Sequence, residues 1–168
     1  NALAGLPQNA LISAERGPLY RGDLEPQPYV FYNWVRAQSP PSSGAPLGCF
    51  AGGICLQSAA FSENPQTGQT LIQLTWRAET APGQPFEAFV QAVSGATVAA
   101  QNSGPLADGL YPTPLWRPGD WVRETRVVSL PADLRAGEVR WLAGLLRPQT
   151  GERLRLQTGR ADALELRP

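Results

Sequence analysis

Glycine and proline recur so often along this chain that no long helix fits between them. Each occurs seventeen times, together 34 of 168 residues, and proline breaks helix and central strand alike while glycine weakens both. Their share, about 20%, stays below the roughly 25–30% of low-complexity disordered chains. The chain therefore reads as a folded one with many turns.

Between the breakers the recurring signal has period two. From Leu71 to Glu79, Ile72, Leu74, Trp76 and Ala78 alternate with Gln73, Thr75, Arg77 and Glu79, which predicts a strand with one buried face. Phe86 to Val93 and Thr97 to Gln101 read as a hairpin turning at Ser94-Gly95. Further strands are expected at Val122 to Leu130, Val139 to Leu146 and Leu154 to Gln157, with an edge strand at Ala163 to Leu166. Tyr29 to Arg36 is the most aromatic run and fits a strand with large residues on both faces. Asn102 to Asp120 holds too many breakers for either regular element and reads as a structured loop, and Ala132 to Arg135 allows a single helical turn. Seven to nine short strands at such spacing predict an all-β fold, an antiparallel sandwich of jelly-roll or immunoglobulin-like type. One domain over residues 1–168 is expected, with 1–15 a loose N-terminal arm and the Ser39 to Pro46 stretch a surface loop.

What the chain lacks bounds its chemistry. All fourteen basic residues are Arg, and His, Lys and Met are absent. No imidazole base, catalytic triad or His-based metal site is available, nor a Schiff-base or phosphate-loop lysine. The formal charge is zero and the arginines lie singly, a poor footprint for nucleic acid. No apolar run reaches the length of about 18 residues that spans a bilayer. Asn1 is not an initiator, so a mature chain or an excised fragment is expected.

Cys49 and Cys55 flank a glycine-rich loop, and a disulfide between them implies an oxidising compartment; two buried free thiols and a two-thiolate metal site are the alternatives. Asp23 and Glu25, two apart, would share a calcium ion if that stretch is extended, whereas a plain surface turn is the commoner reading. No other cofactor is expected. The Arg21-Gly22-Asp23 tripeptide occurs too often by chance to carry weight.

The pieces Leu74-Thr75-Trp76-Arg77, Phe89-Val90-Gln91-Ala92-Val93, Val98-Ala99-Ala100-Gln101, Gly109-Leu110-Tyr111-Pro112-Thr113, Leu115-Trp116-Arg117-Pro118-Gly119-Asp120, Ser129-Leu130-Pro131, Ala143-Gly144-Leu145-Leu146 and Thr150-Gly151-Glu152-Arg153-Leu154 follow in that order. Over residues 71–156 the series resembles the extracytoplasmic β-sandwich domain of bacterial membrane glycosyltransferases of the dolichyl-phosphate-mannose mannosyltransferase type. The resemblance implies an accessory or sugar-contacting module. It carries over no catalytic residue.

Among site candidates, Asp120 and Glu124 beside Trp116 and Trp121 form the best ligand-binding set, two acids next to an aromatic platform. The same pair would serve a carboxylate-dependent glycosidase. The competing readings are a turn residue for Asp120, an ion pair with a neighbouring Arg for Glu124, and indoles that pin the loop to the sandwich. Trp76 and Trp141 are expected in the core. Tyr29, Phe31, Tyr32 and Trp34 supply more aromatic surface than one core face needs and are the first choice for a partner interface. The expected function is a non-catalytic extracytoplasmic module of the bacterial cell envelope or surface, binding carbohydrate or docking to a membrane or surface-layer assembly.

Overall fold

A computed structural model describes residues 6–7, 10–16, 33–41, 44–64 and 66–168, with the backbone alone at 14–16 and 33–37. The described chain is all-β. Ten strands are present among the described residues: β1 (Leu11–Arg16), β2 (Asn33–Gln38), β3 (Gly48–Phe50), β4 (Ile54–Glu63), β5 (Thr70–Ala78), β6 (Glu87–Ser94), β7 (Thr97–Pro105), β8 (Trp121–Val128), β9 (Arg140–Leu146) and β10 (Leu164–Leu166). They form a six-stranded sheet in the order β2-β1-β8-β5-β4-β3 packed on a four-stranded sheet in the order β10-β9-β6-β7.

The alternation seen in β5 is what builds the core. Ile72, Leu74, Trp76 and Ala78 point between the sheets, where Val122 and Val128 of β8 and Ile54 and Leu56 of β4 join them. From the facing sheet come Ala88, Val90 and Ala92 of β6 and Trp141, Ala143 and Leu145 of β9. Two-residue periodicity on both layers lets the inner rows interdigitate while the outer rows stay polar. Gly144 on the outer face leaves room for the Phe89 ring and the Asp162 carbonyl, which an added Cβ would strike.

The expected all-β sandwich is present, and five details differ from the expectation. The sandwich is not wholly antiparallel, because β1 runs parallel to β8 from Leu11↔Trp121 to Ser13↔Arg123. The arm expected over 1–15 becomes this strand from Leu11 onward, since buried Leu11 and Ile12 give it an apolar residue for each face. The β7 strand runs on to Pro105, four residues into the expected loop, and three-residue or four-residue 3-10 turns occupy parts of the rest at Leu106–Gly109 and Thr113–Leu115. Leu154 to Gln157 is not a named strand but a connecting segment held by single bridges, Phe50↔Leu156 and Leu146↔Arg153; the helical turn falls at Ala136–Glu138 rather than at 132–135.

The open sides of the sandwich are stitched. On one side, Leu154 N donates to Leu145 O and Ala51 N to Arg155 O, both at 2.8 Å, joining β9 to β3. On the other, Arg126 Nη2 of β8 donates to the Gly104 and Pro105 carbonyls at 3.1 and 2.9 Å, and Asn102 Nδ2 of β7 donates to Val127 O at 3.0 Å.

On the outer face of the larger sheet one register row runs Cys49, Cys55, Arg77, Trp121, Leu11, Gln38. Cys49 and Cys55 are directly opposed with Cα atoms 3.9 Å apart and form the disulfide. No helix among the described residues is long and apolar enough to cross a membrane.

Candidate functional site

The four expected ligand-binding residues are all buried, but they do not converge: Glu124 faces between the sheets and Trp121 the outer face of the larger sheet. Trp116 and Trp121 are 1% and 6% exposed, Asp120 is 0% and Glu124 6%. None of them forms a surface platform, and in this structure their polar groups brace the fold from within. In β8 the inward row is Val122, Glu124, Arg126, Val128, and strand geometry carries Glu124 into the core with it.

Each carboxylate is saturated where it lies. Glu124 accepts from Trp76 Nε1 at 2.8 Å, from the Ala107 amide at 3.0 Å and from Arg126 Nη2 at 2.7 Å. That third bond is an ion pair with both side chains nearly inaccessible, 4% and 6% exposed. Ala107 itself holds a left-handed φ of 50°, rare for a residue with a Cβ, and the bond to Glu124 is what its amide gains there. Asp120 accepts from the Tyr111 hydroxyl at 2.6 Å, from the Arg117 amide at 2.9 Å and from the Arg117 guanidinium at 3.2 Å. Burial first, then the bond to Asp120, pushes the Tyr111 phenol well above its ordinary value of 10.0. The same carboxylate raises the Arg117 guanidinium. Arg117 also donates to the Leu6 and Pro7 carbonyls at 2.9 and 2.8 Å, so Asp120 anchors a cation that holds the N-terminal segment down. Trp116 donates to Tyr111 O at 2.8 Å and stacks on its ring, which is the pinning alternative. Trp121 lies on the outer face beneath the Arg77 guanidinium, 5.5 Å from the ring centre. A glycosidase acid must reach a glycosidic oxygen and its partner a sugar carbon; these two carboxylates reach only the protein.

Of the expected partner interface, Tyr29, Phe31 and Tyr32 lie outside the described residues, and Trp34 belongs to β2, where the backbone alone is described. Asp23 and Glu25 also lie outside. Among the described residues no cluster of three potential metal ligands occurs.

The open site is elsewhere, at the end of the larger sheet. A groove of about 470 Å³ lies between the β4–β5 connection, which contributes Glu63, Thr67, Gly68 and Thr70, and the segment after β8, which contributes Leu130 to Ala132 and Leu134 to Ala136. Its base is apolar, because Leu130, Leu134 and Ala136 are half-buried and rest on the core. Its rim carries Glu63 and Arg135, both exposed and neither in an ion pair among the described residues. The two walls are tied by Gln69 Nε2 donating to Ser129 Oγ at 3.0 Å, and the second wall is itself held by a turn in which Glu138 Oε2 accepts from the Arg135 amide at 2.8 Å. Sequence reasoning missed this site. The signal present in the chain is Leu130 and Leu134 on either side of a Pro131 that stops the strand, apolar residues stranded in a polar connection.

Neither a known family, nor a curated protein, nor a solved structure matches the chain.

Proposed function

We propose that this chain is a non-catalytic, extracytoplasmic docking module of a cell-envelope or surface assembly, and that its groove takes an extended peptide segment of a protein partner. The observation that carries this is the groove's lining: an apolar base of Leu130, Leu134 and Ala136 between an acid, Glu63, and a base, Arg135, neither of them ion-paired among the described residues. Such a site selects an apolar side chain flanked by charges of both signs. Its described lining offers no aromatic face for sugar stacking, and of the two indoles expected to supply one, Trp116 is in the core and Trp121 is buried on the outer face of the larger sheet beneath Arg77. Docking is therefore favoured over carbohydrate binding, and both over hydrolysis, whose best carboxylates are consumed internally. The Cys49–Cys55 disulfide supports an oxidising compartment, and the resemblance over residues 71–156 supports an envelope setting.

Selection from a displayed library of random peptides tests the reading. Recovered peptides should carry an apolar residue between charges, and Leu134→Asp or the reversal Glu63→Arg should weaken their binding by about tenfold or more. Binding on a glycan array that survives those substitutions, or turnover of any glycoside, would overturn it.

A further inference from the structure

The β4 strand is only half covered. It runs ten residues, yet β3 pairs with it only over Ile54–Leu56, and the last bond on that side is Leu47 N donating to Leu56 O at 2.8 Å. A bulge at Gln57 follows, after which Ser58 to Glu63 runs in unbroken register against Thr75 to Thr70 of β5. Along those six residues no backbone hydrogen bond reaches the side away from β5 among the described residues. Unpaired strand edges attract other strands, and proteins blunt them with shortness, charge, bulges or cover.

The other edges are blunted. Both β3 and β10 are three residues long. Arg126 occupies the Gly104 and Pro105 carbonyls of β7, and a bulge at Ala99 breaks its remaining half, where Val98 pairs with Val93 and Ala100 with Ala92. The β2 strand carries Arg36 in its interior. The open half of β4, Ser-Ala-Ala-Phe-Ser-Glu, has small residues and a single charge at its end.

We propose that this edge pairs with the same edge of a second copy of the chain, antiparallel about a two-fold axis at Ala60. Self-complementarity argues for that occupant. With the axis at Ala60, Ser58 faces Ser62 of the second copy, Ala59 faces its Phe61, and Ala60 faces itself. No like charges meet: the two Glu63 residues stand six positions apart along the pair, about 20 Å, beyond a Debye length of about 8–10 Å. Moving the axis toward Glu63 brings the carboxylates together, which fixes the register. Phe61, half-buried with its ring 5.6 Å from Trp141, gains cover from Ala59 of the second copy. The two six-stranded sheets become one continuous sheet, and an isologous contact of this kind closes at the dimer.

Sedimentation velocity across a concentration series up to about 1 mM should show twice the 18.1 kDa mass. Ala60 is exposed, so charge placed there tests the axis directly. Ala60→Glu and Ala60→Arg alone should each weaken the dimer by about tenfold or more, and an equimolar mixture of the two should restore it. Amides of residues 58–63 in the unsubstituted chain should gain exchange protection as concentration rises, a readout independent of how the variants fold. A chain that stays at monomer mass throughout, as it would if a strand of another protein belongs there, overturns the proposal. So does dimerisation that both variants leave unchanged.

Discussion

Replacing Glu124 by Gln tests the buried polar centre of the sandwich with almost no change in shape. The carboxylate accepts from Trp76 Nε1, the Ala107 amide and Arg126 Nη2. An amide keeps one acceptor and puts an NH2 group where the other oxygen stood, so at least one of those donors meets a donor. Arg126 keeps the Gly104 and Pro105 carbonyls and Asn102 Oδ1, but none of them carries a full charge, and its guanidinium is left buried without a counter-ion among the described residues. Breaking a buried pair from one side costs about 3–5 kcal/mol. At about 2–4 °C per kcal/mol for a chain of this size, Tm should fall by about 6–20 °C. Chemical denaturation followed by Trp fluorescence gives the free energy and thermal melts give Tm. Adding Arg126→Met removes the stranded cation, so the double variant should be more stable than the sum of the two single effects by about 1–3 kcal/mol. It should not return to the parent, because either Trp76 Nε1 or the Ala107 amide still faces the new NH2 group in place of an acceptor. A Glu124→Gln loss below about 1 kcal/mol would refute the reasoning, since it would mean the charge is compensated from elsewhere.

The Tyr111 phenol is held neutral in the folded chain well above its unfolded value of 10.0. Its contribution is therefore complete below pH 10 and is lost as pH rises further, because the native state retains a proton that the unfolded state releases; stability should fall by up to about 1.4 kcal/mol per pH unit there. Denaturation curves from pH 9 upward check this, and Tyr111→Phe should flatten that slope. Cys55 is 0% exposed and Cys49 half-buried, so a thiol assay should find no reactive sulfhydryl before reduction, and after reduction Cys49 should react first while Cys55 waits for unfolding. Cys49→Ser with Cys55→Ser should cost about 2–3 kcal/mol in denaturant midpoint analysis, as expected for so short a closed loop.

Strands that alternate large apolar with polar residues were legible: β5, β6, β8 and β9 lie within a residue or two of where the pattern put them. The longest strand, β4, was not read, because Cys-Leu-Gln-Ser-Ala-Ala-Phe-Ser carries small and polar residues and its extended form is imposed by pairing with β5 along its length. The β1 strand was hidden for the same reason, since its partner is 110 positions away at Trp121. Glu124 is the more instructive case. Two-residue periodicity from Val122 and Val128 already places it inside, yet an acid near two indoles suggested a sugar site. Composition argued for exposure where register argued for burial, and register prevailed because Arg126, on the same face, came in with it. The groove was not legible because it joins two turns, 63–70 and 130–136, that only the fold brings together.

The parallel pairing of β1 with β8 also dictates an order of events. A chain emerging from a ribosome or a membrane pore N-terminus first exposes Leu11 and Ile12 long before Trp121 and Val122, the residues that receive them, have appeared. Until then β1 has only β2 beside it, and a lone two-stranded ribbon is marginal in water. Meanwhile β3, β4 and β5 are consecutive antiparallel neighbours that pair as they emerge. The strand pair synthesised first is thus seated only after β8 has emerged, and the early ribbon depends on a chaperone, or on speed, to reach its place beside β8.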